Sequence, residues 1–274
     1  MTDPERIERI DDPDDPRVRD YLHLTDAAAA RRGDVFIVEG RVALERVVAS
    51  ALDVESLLVT PQRAEQLDEV FGSLPEDVPI YVADRDVIAR TAGYDVHRGI
   101  LAAGRRPAAL GVEALLSAST RIVATEATSD HENLGSIFRN AAGLGLDGVV
   151  LDARTADPLY RRCVRVSLGW SAVLPHARAA SLAETPSAFT AAGFRTVALC
   201  PHLGDPVDVA AAAGTFDGRV ALLLGAEGPG LDEDTIAAAD AVVRIPMAGA
   251  ADSLNVATAF AVVAAFAAAR RGWN

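Results

Sequence analysis

The sequence predicts an α/β protein built from two unequal parts. Strand-like and helix-like segments alternate over 21–106, and a second series of the same kind runs from Arg121 onward. Val220-Ala221-Leu222-Leu223-Leu224 is an unbroken apolar run, as expected of a strand buried on both faces of a parallel sheet. Between the two series, Arg105-Arg106-Pro107-Ala108-Ala109 puts proline among small residues and reads as a linker. The expected organisation is an acidic tail over 1–20, a small α/β domain over 21–106 and a larger α/β domain over 112–274.

Each element has a local reason. Residues 1–20 carry eight acids (Asp3, Glu5, Glu8, Asp11, Asp12, Asp14, Asp15 and Asp20), a composition that favours a solvated, flexible segment. Val35 to Val38 form a β-rich run ended by Gly40, and Val42, Leu44, Val47 and Val48 give helical spacing over 41–50. Leu57 to Val59 read as a strand, after which Pro61 opens a helix to about Phe71. Ile80 to Val82 form another strand, Asp84 caps a helix towards Ala92, and 99–103 is a last apolar run.

In the larger part, strands are expected at 122–124, 148–151, 196–199, 220–224 and 241–245. Helices are expected at 134–144, over a stretch ending at 188–192, at 232–239 and at 253–270.

Composition excludes several classes. Asp and Glu total 39 against 26 basic residues, all Arg, for a net charge of −13. Both parts are acidic, −8 over 1–108 and −5 over the remainder, so neither is a generally basic polyanion binder. The first residues lack an apolar stretch of signal-peptide type, and no segment reads as a membrane span, so a cytoplasmic location is expected. Cys163 and Cys200 do not make a disulfide scaffold, and no Cys/His spacing suits a metal.

Three segments concentrate residues suited to chemistry. The first is Asn133-Leu134-Gly135-Ser136-Ile137-Phe138-Arg139-Asn140-Ala141, at a strand-to-helix junction where Asn133 can cap the helix. Helical spacing puts Ser136 and Asn140 on one face with Arg139 beside them. Polar residues this dense beyond a strand's C-terminal end suggest a ligand site.

The second segment is Leu224-Gly225-Ala226-Glu227-Gly228-Pro229-Gly230-Leu231. Its glycines allow close backbone approach, but the spacing is not that of a dinucleotide loop, which counts against a nicotinamide-dependent oxidoreductase. The third runs from Ile245-Pro246-Met247 to Ser253-Leu254-Asn255-Val256-Ala257. Ser253 can N-cap the closing helix, leaving Asn255 inside the first turn for another role. His176, His202, Cys163 and Cys200 read as ordinary structural residues. Arg154, Arg161, Arg162 and Arg165 form a local basic run, either a solvated face or a set of phosphate contacts.

In this order the three segments resemble the motifs of the SpoU/TrmH class of RNA ribose 2′-O-methyltransferases, within the SPOUT superfamily, over about 121–271. Val164-Arg165-Val166-Ser167-Leu168-Gly169 resembles a further piece of that family. Residues 21–106 more weakly resemble the small substrate-binding domain often fused ahead of it, similar to ribosomal-protein-type RNA-binding domains.

The resemblance implies a C-terminal domain closed by a trefoil knot, a rare exception to unknotted folding. It implies S-adenosylmethionine as cofactor, held at Gly225, Gly228, Gly230, Ile245 and Leu254 with Met247 beside the adenine, and no metal. It implies catalytic roles for Asn133, Arg139, Glu227, Ser253 and Asn255, an RNA partner (ribosomal or transfer RNA) and a homodimer in which Arg139 acts partly across the interface. Arg is permanently protonated, so Arg139 would orient the hydroxyl and an adjacent phosphate while phosphate or water takes the proton. RNA would meet local arginines near Arg98, Arg105 and Arg106 and near 154–165. The alternatives are a non-catalytic RNA-binding or assembly factor of the same fold, and a relative that methylates a base nitrogen.

Overall fold

A computed structural model describes residues 6–24, 34–183, 185–249 and 252–269, with Pro186 and Ser187 described as backbone only. The chain divides into two units, Met1–Ala108 with Pro158–Val173, and Ala109–Asp157 with Leu174–Asn274.

The first unit is built on a five-stranded sheet. Its strands are β1 (Ile7–Ile10), β2 (Val35–Glu39), β3 (Val54–Val59), β4 (Ile80–Ala83) and β5 (Ile100–Arg105), in the order β1-β4-β3-β5-β2. β1, β4 and β3 run parallel, whereas β5 is antiparallel to both β3 and β2. Phe36, Leu44, Val47, Leu57, Phe71 and Ile80 fill one core, and Ile10, Val18, Tyr21, Leu58, Ile88 and Leu101 another.

Two helical expectations change in this unit. The helix expected from Pro61 to Phe71 is two short ones, Pro61–Ala64 and Asp68–Ser73. Asp84 occupies the N-cap position of helix Arg85–Ala92, but its carboxylate pairs with Arg9 rather than with the helix.

The acidic segment is not a solvated tail from residue 7 onward. β1 joins the sheet edge, Pro16–Tyr21 forms a 3-10 helix, and Ile10, Val18 and Tyr21 are buried. Average composition concealed two facts. The apolar residues lie where they can reach the core, and Arg9 and Arg17 neutralise Asp11, Asp84, Glu8 and Asp15. The Tyr21 hydroxyl meets Ser56 Oγ at 2.8 Å and accepts from the Ala103 amide at 3.1 Å. Residues 1–5 lie outside the described residues.

Part of the basic run also belongs to this unit. Helix Arg161–Val166 packs on β2. Arg161 donates to the Leu24 carbonyl at 2.6 Å, lies over the Tyr94 ring and faces the buried Glu39 carboxylate. Arg161 is therefore a structural cation rather than part of a solvated face.

The second unit is an all-parallel seven-stranded sheet. Its strands are β6 (Arg121–Thr125), β7 (Gly148–Leu151), β8 (His176–Arg178), β9 (Arg195–Leu199), β10 (Asp205–Pro206), β11 (Val220–Leu224) and β12 (Ala241–Arg244). The order is β10-β12-β9-β11-β6-β7-β8. β11 lies centrally with all five residues buried, which is what its unbroken apolar run requires. The edge strands β8 and β10 are too short to leave a periodic signal. His176 lies in β8 and packs edge-on against Phe138, with ring centroids 5.7 Å apart. Helix Val256–Ala269 packs on helix His131–Gly143, where the Asn140 amide donates to the Ala257 carbonyl at 2.9 Å.

Candidate active site

The C-terminal ends of the parallel strands deliver the three motif segments to one place. Helix His131–Gly143 starts one turn before the expected point, because Asp130 rather than Asn133 is its cap. The Asp130 carboxylate accepts from the Glu132 amide at 2.9 Å and the Asn133 amide at 2.8 Å. The Asn133 side chain is thereby released for another partner.

The glycine segment follows β11 as a tight loop. Ala226 and Gly230 exchange backbone hydrogen bonds at 3.1 and 3.0 Å. Gly228 and Gly230 have φ of +86° and +80°, a region that costs a side chain dearly. A Cβ on Gly225 would lie 2.0 Å from the Gly230 carbonyl carbon, so the close approach of the two loop ends requires glycine there.

The third segment precedes helix Val256–Ala269. The cap is Asn255, not Ser253. Asn255 Oδ1 accepts from the Ala257 amide at 3.0 Å and the Thr258 amide at 3.3 Å. The closing helix thus begins three residues later than expected.

Three side chains from the three segments meet at hydrogen-bond distance. Asn133 Nδ2 donates to Glu227 Oε1 at 2.6 Å. Asn255 Nδ2 donates to Asn133 Oδ1 at 2.7 Å and to Glu227 Oε1 at 3.0 Å. One carboxylate oxygen thus gathers two amide donors, while Asn255 serves as cap and donor at once.

Beside this triad lies a cavity of about 660 Å³. Such volumes hold small-molecule ligands and cofactors, for which about 300–1,000 Å³ is usual. Gly225, Glu227, Gly228, Gly230, Ile245, Met247, Ser253, Leu254 and Asn255 all line it. Asn133 and Arg139 do not. Asn133 reaches the site through Glu227, whereas Arg139 is exposed and has no hydrogen-bond or ion-pair partner among the described residues. Residues 250–251 of the third segment lie outside the described residues.

Sequence reasoning missed one wall of this cavity. Leu199, Cys200, Pro201, His202 and Leu203, at the end of β9, line it. The available signal was the rule that ligands bind beyond the carboxyl ends of parallel strands. Burial pushes the Cys200 thiol up, so it acts as an apolar wall rather than a thiolate.

Arg154 is not a free phosphate contact either. It is held by the carboxylates of Asp152, Asp232 and Glu126 at 2.8–3.1 Å. Burial would raise the Asp152 carboxyl, but hydrogen bonds from Thr155, the Ala127 amide and Arg154 outweigh it and hold the group below the usual range.

A parallel sheet with a glycine loop, a capped helix N-terminus and a cavity at its strand ends is the arrangement by which α/β proteins bind small ligands. The model of the SpoU rRNA Methylase family matches residues 120–265, and the chain belongs to this family of RNA methyltransferases. It is 41% identical to an uncharacterized tRNA/rRNA methyltransferase of Mycobacterium bovis over 262 residues, 93% of this chain and 90% of that one. It is 25% identical to the 23S rRNA (guanosine(2553)-2'-O)-methyltransferase RlmP of Bacillus subtilis over 257 residues, 94% and 98% of the two chains. The SpoU methyltransferase AviRb from Streptomyces viridochromogenes, solved in complex with AdoMet, matches it with a TM-score of 0.73. That match has 26% identity and covers 94% of this chain and 98% of that one.

Proposed function

We propose that this protein transfers a methyl group from S-adenosylmethionine to a ribose 2′-hydroxyl of ribosomal or transfer RNA. The observation that carries the reading is the Asn133–Glu227–Asn255 triad beside the cavity. A fold retained only for binding would not need residues distant in sequence gathered on one carboxylate oxygen. The printed activity of the Bacillus subtilis relative and the AdoMet-bound structural neighbour support the same chemistry.

The cavity residues suit the cofactor. Gly225, Gly228 and Gly230 let backbone approach a ligand closely, and Ile245, Met247 and Leu254 offer apolar contact to a flat ring. Bound there, S-adenosylmethionine would supply a methyl group made electrophilic by its sulfonium. The chain's own work is then to place a hydroxyl and remove its proton. Arg139, exposed, without a partner among the described residues and always protonated, orients the hydroxyl and its neighbouring phosphate, and the proton leaves to phosphate or water. Asn133 and Asn255 fix Glu227 and with it the loop between cofactor and ribose. Ser253 completes the pocket wall. No metal is required, because the leaving group is already activated.

In the first unit, Arg105 pairs with Glu55, and Arg106 donates to the Val35 carbonyl. Arg98 is exposed, adjoins Arg63 through a 3.1 Å bond from Arg63 Nε to its carbonyl, and meets no carboxylate among the described residues. These two arginines are the phosphate contacts we assign to that unit. The reading includes a trefoil knot in the second unit, a homodimer, a cytoplasmic location and an RNA-binding role for residues 21–106.

The test is a map of 2′-O-methylation across total RNA from a strain lacking the gene and from its parent. Loss of one methyl mark, restored by the wild-type gene, is the expected result. An unchanged map, with purified protein that binds RNA but transfers no methyl group, would favour the assembly-factor reading.

A further inference from the structure

We infer that Glu126 and Arg154 are positioning residues that set the geometry of the glycine loop and, through it, cofactor affinity; the affinity part rests on the cofactor reading above. Glu126 follows β6 and is 1% exposed. Its backbone amide donates to the Leu224 carbonyl at 2.8 Å, at the entry to the loop. Its carboxylate holds the exit, with Oε2 accepting from the Asp232 amide at 2.9 Å and Oε1 from Thr235 Oγ1 at 3.0 Å. One residue thus clamps both ends of the loop that carries Gly225, Glu227, Gly228 and Gly230.

A carboxylate this deeply buried needs a counter-charge. A second buried carboxylate, Asp152, lies at the end of the neighbouring strand β7 and is also 1% exposed. Arg154 answers both. Its Nε donates to Asp152 Oδ2 at 3.0 Å, and Nη2 lies 3.1 Å from Glu126 Oε1 and 2.8 Å from Asp232 Oδ2. A planar, always-charged fork bridges three carboxylates where a lysine would bridge fewer. Without it, Glu126 and Asp152 are left as uncompensated like charges. The favourable escape is for Glu126 to turn outward, which releases Asp232 and Thr235. The loop exit then loosens, while the strands keep their ladders.

The test compares wild type with Arg154→Met, Arg154→Lys and Glu126→Gln. Binding of S-adenosylhomocysteine is measured by titration calorimetry, and amide exchange of Ala226, Gly230 and Asp232 by mass spectrometry. Arg154→Met is expected to weaken binding about tenfold and to speed exchange of these three amides at least tenfold, with exchange in β6 and β11 unchanged. Arg154→Lys should recover part of both effects, and Glu126→Gln should reproduce the loop exchange. A lower melting temperature with affinity and loop exchange both within twofold of wild type would overturn the inference and leave these residues as general stabilisers. If Arg154→Met does not fold, Arg154→Lys and Glu126→Gln decide by the same two measurements. Wild type that fails to bind S-adenosylhomocysteine would sink the cofactor reading, while loop exchange would still judge the clamp.

Discussion

Asn255 caps a helix and donates into the triad, and two substitutions probe these duties. Asn255→Ala removes both. The helix loses the cap that holds the Ala257 and Thr258 amides, worth about 1 kcal/mol. For a unit of this size that lowers the melting temperature by about 2–4 °C. The triad also loses its 2.7 and 3.0 Å donations to Asn133 and Glu227. Asn255→Asp keeps the cap and adds a negative charge favourable to the helix N-terminus. It removes the Nδ2 donor, however, and sets a second carboxylate about 3 Å from Glu227 Oε1. Two unit charges at that distance repel by about 1.4 kcal/mol at the dielectric constant of water, and by more where the site is drier.

The retained cap and the added repulsion are of similar size, so Asn255→Asp should melt within a few degrees of Asn255→Ala, and both should transfer methyl groups more than tenfold below wild type. Thermal unfolding followed by circular dichroism, and incorporation of label from methyl-labelled S-adenosylmethionine into RNA, are the two assays. Near-normal turnover by Asn255→Asp would refute a functional triad. A melting point for Asn255→Ala equal to that of wild type would refute the capping assignment.

Four further outcomes are expected. Arg139→Ala should leave melting temperature and cofactor affinity within error while methyl transfer falls at least about 100-fold, the usual scale for a group acting on a proton transfer; near-normal turnover on the true RNA would remove Arg139 from the mechanism. Gly225→Ala should cost about 3 kcal/mol or more in chemical denaturation and abolish cofactor binding, because its Cβ meets Gly230 and Leu231 backbone that cannot yield. RNA affinity should be modest, with a log–log salt slope near −2, since the three arginines assigned to phosphate (Arg63, Arg98 and Arg139), none with a carboxylate partner among the described residues, contribute roughly −0.7 each; a slope beyond about −6 would contradict this. Asp152 has a lowered carboxyl pKa in the folded state, so its stabilisation is complete above the unfolded value near 4 and is lost as pH falls through the folded one. Asp152→Asn should accordingly flatten the acid limb of a stability-against-pH curve, and an unchanged limb would contradict the assignment.

The sequence by itself determined most of what local chemistry controls. The apolar run at 220–224 implied a strand buried on both faces, and it is the central strand β11. The glycines at 225, 228 and 230 marked a loop whose backbone must pass where side chains cannot. The residue types at 133, 227 and 255 made them candidates only through the resemblance of the three segments to the family's motifs.

Tertiary structure decided which of those residues touch and which duty each performs. Capping depends on where a helix begins, and that is set by packing. Asp130 took the cap expected of Asn133, and Asn255 the one expected of Ser253, which left the Asn133 side chain free to reach Glu227. The acidic segment joined a sheet edge because Ile10, Val18 and Tyr21 found a core assembled from strands far along the chain. The arginines sorted into braces and cations without a carboxylate partner only once partners such as Glu39, Glu126 and Asp152 were brought beside them. Composition counts charges, but whether a charge is answered depends on the distance to its neighbours, and only the folded chain fixes those distances.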